Sequence, residues 1–191
     1  AVGIFTIFFA AALSLSFRQS SKLRLLISIS TSGYAIPGSV ISAGLLIGFD
    51  AVFGTSITIY GIFGLILCLS FRFMTPAYNY SSSSLANISK SSENALSLIP
   101  SNPLKAFSSF YYPQMKSALF LGFMIVFIES VKEQAATLLL RPVGFDTLST
   151  KIYNFTSEGE WEMAASPSLL LIFLSLAFVY LINKNIDLNT K

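Results

Sequence analysis

Five apolar runs, each close to the length of a bilayer crossing, decide what this chain can fold into: Ala1 to Phe17, Leu25 to Ile47, Ala51 to Phe71, Ser117 to Leu140 and Met163 to Ile182. A membrane helix needs about 20 mostly apolar residues to cross a hydrocarbon core about 30 Å thick. The runs lack the two-residue alternation of a barrel strand, and they are too long and too numerous for one signal peptide. Composition agrees. Only 11% of the 191 residues are charged, 18 are Phe, and the mean hydropathy is +0.69. A soluble fold of this size cannot cover so much apolar surface. The expectation is an all-α polytopic membrane protein with about five transmembrane helices in a lipid bilayer. The opening AVGIFTIFFAAALSLSF has no Met and is apolar from its first residue, which predicts a start partway into a longer protein.

Several chemistries are excluded. Cys68 is the single cysteine, so no intrachain disulfide forms, and it reads as a small apolar-run residue. The chain has no histidine, which removes His-based zinc sites and Ser-His-Asp or Cys-His catalysis. No phosphate-cradling glycine loop is present, so ATP hydrolysis is not expected of this chain. The net charge of +3 is not gathered into a basic stripe with interleaved aromatics, so no nucleic-acid partner is expected.

Basic residues orient the runs. Arg18, Lys22 and Arg24 follow the first, Arg72, Lys90, Lys105 and Lys116 follow the third, and Lys184 and Lys191 follow the fifth. The alternate connections carry Arg141 and Lys151 beside Asp50, Asp146, Glu158, Glu160 and Glu162. Positive residues favour the cytoplasm. The N-terminus is therefore expected outside, the C-terminus inside, and the loop 141–162 outside. Ile152, Tyr153, Phe155 and Trp161 predict that this loop packs on the bundle or lies at the interface.

The connection after the third run has two parts. AYNYSSSSLANISKSSE has the composition of a loose loop. ENALSLIPSNPLKAFSSFYYP, residues 93–113, is amphipathic, with Leu96, Ile99, Leu104 and Phe107 on one side. Pro100 and Pro103 interrupt it, which predicts two short helices meeting at a turn, with Ser101 or Asn102 as cap and Pro103 in the first helical position. Such a segment lies on a membrane surface or docks against a partner.

This segment resembles the cytoplasmic coupling motif of binding-protein-dependent ABC transporter permeases, roughly Glu-Ala-Ala, three residues, Gly, then about twelve residues ending in Leu-Pro. The first three positions fall on Asn94, Ala95 and Leu96, the glycine on Pro100, and the ending on Tyr112 and Pro113; Glu93 stands beside the missing acid. GYAIPGSVISAGLLI, residues 33–47, is similar to a Gly-Tyr-Ala-(Val/Ile)-Pro-Gly stretch of the ferric-iron subgroup. Residues 129–165, with KEQAATLLLRP and FDTLS, resemble that subgroup's Lys-Glu-Leu-Pro-Ala-Thr-Leu-Leu-Leu-Arg-Pro and Phe-Asp-Thr-Leu-Ala. The resemblance covers roughly residues 20–182, the carboxy-terminal half of such a protein.

It implies a type I ABC importer permease fold in a bacterial inner membrane, with residues 1–191 as one half or partial permease domain, a coupling segment at 92–113 and a periplasmic loop at 141–162. It also implies three partners: a periplasmic substrate-binding protein, a cytoplasmic ATP-binding subunit using ATP and Mg, and a second permease half. That half is a copy of this chain, a separate protein, or preceding sequence. No cofactor is implied for the chain itself. Glu93, Asn94, Ala95, Pro100, Pro103, Leu104, Phe107 and Pro113 would meet the ATPase. The cargo would be ferric iron, although the coupling motif is shared with oxyanion and polyamine importers. Proline at 100 fixes φ where the family glycine is free, Asn94 lacks the acid, and Gln134 and Ala135 replace the subgroup's Leu and Pro. These departures leave open a degenerate, non-transporting scaffold. A membrane enzyme using Glu129 and Glu133 as acid and base lacks a nucleophile network.

Glu129, Lys132 and Glu133 lie within the fourth run, where a charge at the bilayer centre costs about 2.5–3.5 kcal/mol on insertion scales unless it meets protein or water. Their spacing puts them near one helical side. They read either as a paired cluster locking helix packing, or as a lining or gate of a translocation path. In the second reading Glu129 and Glu133 would touch Fe³⁺ transiently, without a tight metal site. Pro37, between Gly33 and Gly38, reads as a packing kink or as a hinge near the path. Gly61 and Gly64 permit close helix contact. A cysteine at position 105 of the full-length protein is expected to resist a membrane-impermeant maleimide on intact cells and to react after permeabilisation. Labelling of intact cells removes the cytoplasmic assignment.

Overall fold

The computed structural model describes residues 1–19, 23–54, 61–97 and 102–189, and all regular structure among them is helical. In chain order the elements are α1 (Val2–Gln19), α2 (Arg24–Ser32) running into a 3-10 turn (Gly33–Ala35), α3 (Gly38–Phe53), α4 (Gly61–Arg72), α5 (Met74–Ala86), α6 (Lys90–Ser97) and α7 (Pro103–Ala106). A π-helical turn (Phe107–Tyr111) leads into α8 (Tyr112–Lys132), followed by α9 (Ala135–Leu140), α10 (Leu148–Ser157) and α11 (Trp161–Asn189).

Two helical stretches are individually long and apolar enough to cross a membrane, Leu104–Lys132 and Trp161–Ile186. Two bent pairs raise the number to four among the described residues: Arg24–Ala35 with Gly38–Val52, bent by 118°, and Gly61–Arg72 with Met74–Ala86, bent by 52°. The stretch Val2–Arg18 is apolar but shorter. The chain is thus a multi-helix α protein with two to four candidate spans by length and composition, where hydropathy alone predicted about five.

The differences have local causes. The run Leu25 to Ile47 is not one rod. Ile36, ahead of Pro37, is extended (φ −93°, ψ 133°), because the proline ring crowds helical backbone at the preceding residue. Helix resumes when Val40 N–H donates to Pro37 O at 3.0 Å. The third expected run is also divided. Residues 51–53 belong to α3, which ends at Gly54 with φ 59°, its N–H donating to Asp50 O at 2.9 Å. Glycine bears that left-handed cap without a Cβ penalty.

The serine-rich stretch is helical over most of its length, residues 77–86 in α5 and 90–93 in α6 with a turn between, and not a loose loop. Its hydroxyls bond back onto the helix: Ser83 Oγ donates to Asn79 O at 2.6 Å and Ser84 Oγ to Ser81 O at 2.9 Å. Back-bonding satisfies groups that would otherwise compete with the helix. Met74, Ala77, Ser81 and Leu85 form the buried face of α5.

Helices α1, α5 and α8 pack mutually. Small residues allow it. Ala10 and Ala77 are fully buried, and a Cβ on Gly122 would meet Ile7 Cδ1 at 2.8 Å and Tyr80 Cβ at 3.3 Å. α9 packs on α3 and α4, and α11 rests on α8 and α10. Phe127 stacks on Phe178 at 4.5 Å, and Ser117 Oγ donates to Asn185 Oδ1 at 2.8 Å near the other end. The rest of α11 exposes Leu169, Phe173, Leu176 and Tyr180, a surface suited to lipid. Within 141–162, Thr147 and Thr150 form a reciprocal cap on α10. Ile152 and Phe155 are half-buried, whereas Tyr153 and Trp161 are exposed.

Gly33 has helical φ (−57°), so a side chain there is opposed only by space. A Cβ would meet Phe71 O at 2.5 Å. Gly33→Val is expected to cost about 1–3 kcal/mol through overpacking, read as a lower midpoint of thermal unfolding in detergent. Gly44→Ala, with nothing within 4 Å of its new Cβ, is the control expected to leave it unchanged or higher.

Candidate functional site

Three helix breaks converge. α4 stops at Arg72 and α5 starts at Met74, α8 gives way to α9 across Glu133 and Gln134, and the 3-10 turn gives way to α3 across Ile36 and Pro37. Each break frees backbone groups that need partners when buried. Arg72 supplies one: Nη1 donates to Ile36 O at 2.8 Å. Its Nε stands 3.2 Å from Glu133 Oε2. That N–H has no well-aligned acceptor, so the attraction to Glu133 is chiefly charge on charge. The guanidinium also lies 5.7 Å from the ring centre of Phe73, itself buried.

Glu133 serves three elements. Its backbone is extended (φ −71°, ψ 116°), which ends α8. Its Oε1 accepts the Ala136 N–H at 3.2 Å and so caps the first turn of α9. Its carbonyl accepts Thr137 Oγ1 at 2.9 Å and Ser149 Oγ at 3.1 Å, bringing α10 to the same point. Gly38 closes the site: a Cβ there would lie 2.5 Å from Glu133 Oε1 and 3.2 Å from Arg72 Nη1. One turn before Arg72, Cys68 is buried in the apolar cluster with Val126 and Ala136.

The structure divides the acidic and basic cluster expected from spacing. Lys132 Nζ pairs with Glu129 Oε1 at 2.8 Å, with side chains 45% and 34% exposed. Glu133 does not share their side, because the helix ends at Lys132 and the 3.6-residue period ends with it. It joins Pro37 and Gly38 instead, which sequence spacing put on a separate helix. Arg72 is the site residue that sequence reasoning does not single out. Sequence position places it among loop charges, whereas the structure holds it three-quarters buried in this pair. The available signal was an isolated arginine between two helical stretches, Gly61–Arg72 and Met74–Ala86, that together are apolar enough for one span.

Among the described residues no three His, Cys, Asp or Glu side chains group as metal ligands. With Glu133 engaged by Arg72 and Ala136 N–H, the arrangement suits a fulcrum joining broken helices better than an open ligand set.

The amphipathic segment lies apart from this centre. Glu93 is in the first turn of α6, which also holds Asn94 and Ala95. Asn102 Oδ1 accepts the Leu104 N–H at 3.1 Å and its carbonyl accepts the Ala106 N–H at 2.9 Å, so Asn102 caps α7 with Pro103 at its first position. Leu104 is 77% exposed, Phe107 is half-buried, and Pro113 is exposed at the start of α8. Pro100 lies outside the described residues. The π turn carries the helical path from Leu104 into α8, so this candidate span begins well before Ser117.

Arg72→Ala leaves Glu133 buried without a counter-charge and is expected to cost about 3–5 kcal/mol. Glu129→Gln, in the more exposed pair, is expected to cost no more than about 1 kcal/mol. Thermal unfolding of the purified protein in detergent compares them; equal losses remove the distinction.

No protein-family profile matches the chain. Curated proteins do. The Fe(3+)-transport system permease protein FbpB 2 of Haemophilus influenzae is 28% identical over 152 residues, which is 79% of this chain and 29% of that protein. The ferric transport system permease protein FbpB of Actinobacillus pleuropneumoniae is 28% identical over 124 residues, 63% of this chain and 18% of that protein. The chain spans less than a third of the length of these relatives. Over the matched residues it is homologous to ferric-transport permeases.

Proposed function

We propose that this chain is one half of the membrane permease of an ATP-driven ferric-iron importer, with iron delivered by a periplasmic binding protein and motion supplied by a cytoplasmic ATPase. The observation that carries the reading is the alignment with ferric-transport permeases over 79% of the chain. The type I importer fold in a bacterial inner membrane and the five crossings belong to the same proposal, with α1, the two bent pairs, the Leu104–Lys132 rod and α11 as the crossing units. Contacts support that count. Arg18 meets Glu93 and Ser117 meets Asn185, which gathers the ends of α1 and α11 with the segment before α8. Gly61, at the start of α4, faces Leu140 O and Pro142 beyond α9. In this proposal the bent α2–α3 pair is a broken span, not a re-entrant loop, and carries the chain from one end of the bundle to the other. In the proposed orientation the Arg18 end is cytoplasmic, and α6 and α7 offer Asn94, Ala95, Leu104 and neighbouring residues to the ATPase.

Transport then runs by alternating access, and the Arg72–Glu133 junction is where broken helices pivot. Glu129 and Lys132, the more exposed pair, are the candidates for the path lining. A second permease half completes the path.

The test is uptake of radiolabelled ferric iron by cells lacking their own ferric permease and carrying the full-length gene with its binding protein and ATPase. Uptake is expected to require all three, and Glu129→Gln is expected to reduce it about tenfold or more if the carboxylate touches cargo or the gate. Uptake of an oxyanion or polyamine in place of iron redirects the cargo. Purification without an ATPase subunit overturns the importer reading in favour of a scaffold, and wild-type uptake by Glu129→Gln removes its direct role.

A further inference from the structure

Arg18, in the last turn of α1, makes the second buried arginine junction of the molecule. Its Nη1 donates to Leu85 O and its Nη2 to Ile88 O at 2.6 Å. Its Nε lies 2.6 Å from Glu93 Oε1, a contact of charge on charge since that N–H has no well-aligned acceptor, and both side chains are about four-fifths buried (21% and 19% exposed). Tyr111 Oη donates to that same Glu93 oxygen at 3.4 Å. One guanidinium thus ties the end of α1 to the end of α5 and the start of α6, and Glu93 extends the tie to the turn entering α8.

Physical chemistry makes this junction stiff. The last carbonyls of α5 lack the usual donor four residues on. Leu85 O accepts the Ile88 N–H at 3.0 Å and has a lone pair left for the guanidinium, and the helix dipole makes that end attractive to a cation. Glu93, in the first turn of α6, is favoured by the opposite end of a dipole. A planar fork with five donors is needed to meet acceptors on several sides at once. The side chains of Leu85 and Ile88 are buried against Ala11, Met115 and Leu119, so the accepting backbone has little room to yield. Glu93 is therefore held within its own chain, and Leu104 of the same segment faces outward.

We propose that Arg18 is a positioning residue that transmits displacement of the segment α6–α7 to α1, α5 and α8. The inference rests on the reading that this segment docks on an ATPase. If the tie is cut, the partner still docks and hydrolyses ATP, but its motion is lost in the hinge between α6 and the bundle.

The experiment uses the full-length transporter with its ATPase and binding protein in membrane vesicles, and measures ferric iron taken up per ATP hydrolysed. Arg18→Gln is expected to retain the ATPase subunit and its hydrolysis while lowering that ratio about tenfold or more, the size of one lost charge-assisted hydrogen bond. Arg18→Lys keeps the charge without the fork and is expected to fall between. The exchange Arg18→Glu with Glu93→Arg is expected not to rescue, because a carboxylate cannot donate to the two carbonyls. A merely structural role would lower uptake and hydrolysis together and leave their ratio intact. If Arg18→Gln is not recovered in the membrane, Arg18→Lys decides. A ratio within about twofold of wild type in the deciding variant, or full rescue by the exchange, overturns the inference. Wild-type protein that holds no ATPase overturns the importer reading and this inference with it. Wild-type coupling with unaffected variants overturns this inference alone.

Discussion

A helix can be interrupted inside hydrocarbon only where something else satisfies the backbone groups the interruption frees, since each orphan costs several kcal/mol without water. In this apolar chain Arg72 is one supplier, beside the hydroxyls of Thr137 and Ser149. Arg72 donates to Ile36 O at the first break, ends the helix at the second, and faces the carboxylate of Glu133 at the third. Glu133 in turn caps α9 and receives hydroxyls from α9 and α10. The 118° bend at Pro37, the start of α9 and one end of α10 thus meet around that one pair of charges. Either charge alone would be an uncompensated ion in a low dielectric.

Arg18 repeats the arrangement at the other end. Both arginines lie in the last turn of an apolar helix, where the dipole favours a cation, and both reach carbonyls of another element. α5 runs between them, leaving the Arg72 junction at Met74 and reaching the Arg18 junction at Leu85. Its length is about 20 Å at the usual helical rise. The small Ala77 and Ser81 on its buried face let α1 and α8 pack against it. A rod held by an arginine at each end gives the proposed permease a direct mechanical path from its amphipathic segment to its broken helices, and that path does not use Glu129 or Lys132.

How much could be read from residues alone varied with the kind of interaction. The first and last apolar runs became α1 and α11 because length and hydropathy are local properties. Asn102 and Pro103 fell at a cap and first helical position because capping needs only neighbouring residues. Pro37 marked a break, since a missing N–H is visible in the sequence, but nothing in the residue specified how far the chain turns there. The serine-rich stretch misled because serine's low helix preference assumes its hydroxyl competes with the backbone, and here the hydroxyls bond back along the same helix.

By itself, then, the sequence determined an apolar α-helical chain, its broad division into apolar runs and an amphipathic interruption, and a resemblance to ferric-transport permeases that direct comparison bears out. Only the tertiary structure decided that Phe73 and Glu133 are breaks although neither is Gly or Pro, that Glu133 leaves Glu129 and Lys132 for Arg72, and that Arg18 holds Glu93. The reason is physical. Hydropathy and caps act between near neighbours, whereas a buried charge chooses its partner by what folding brings within about 4 Å in a low dielectric, however far away in the chain that partner lies.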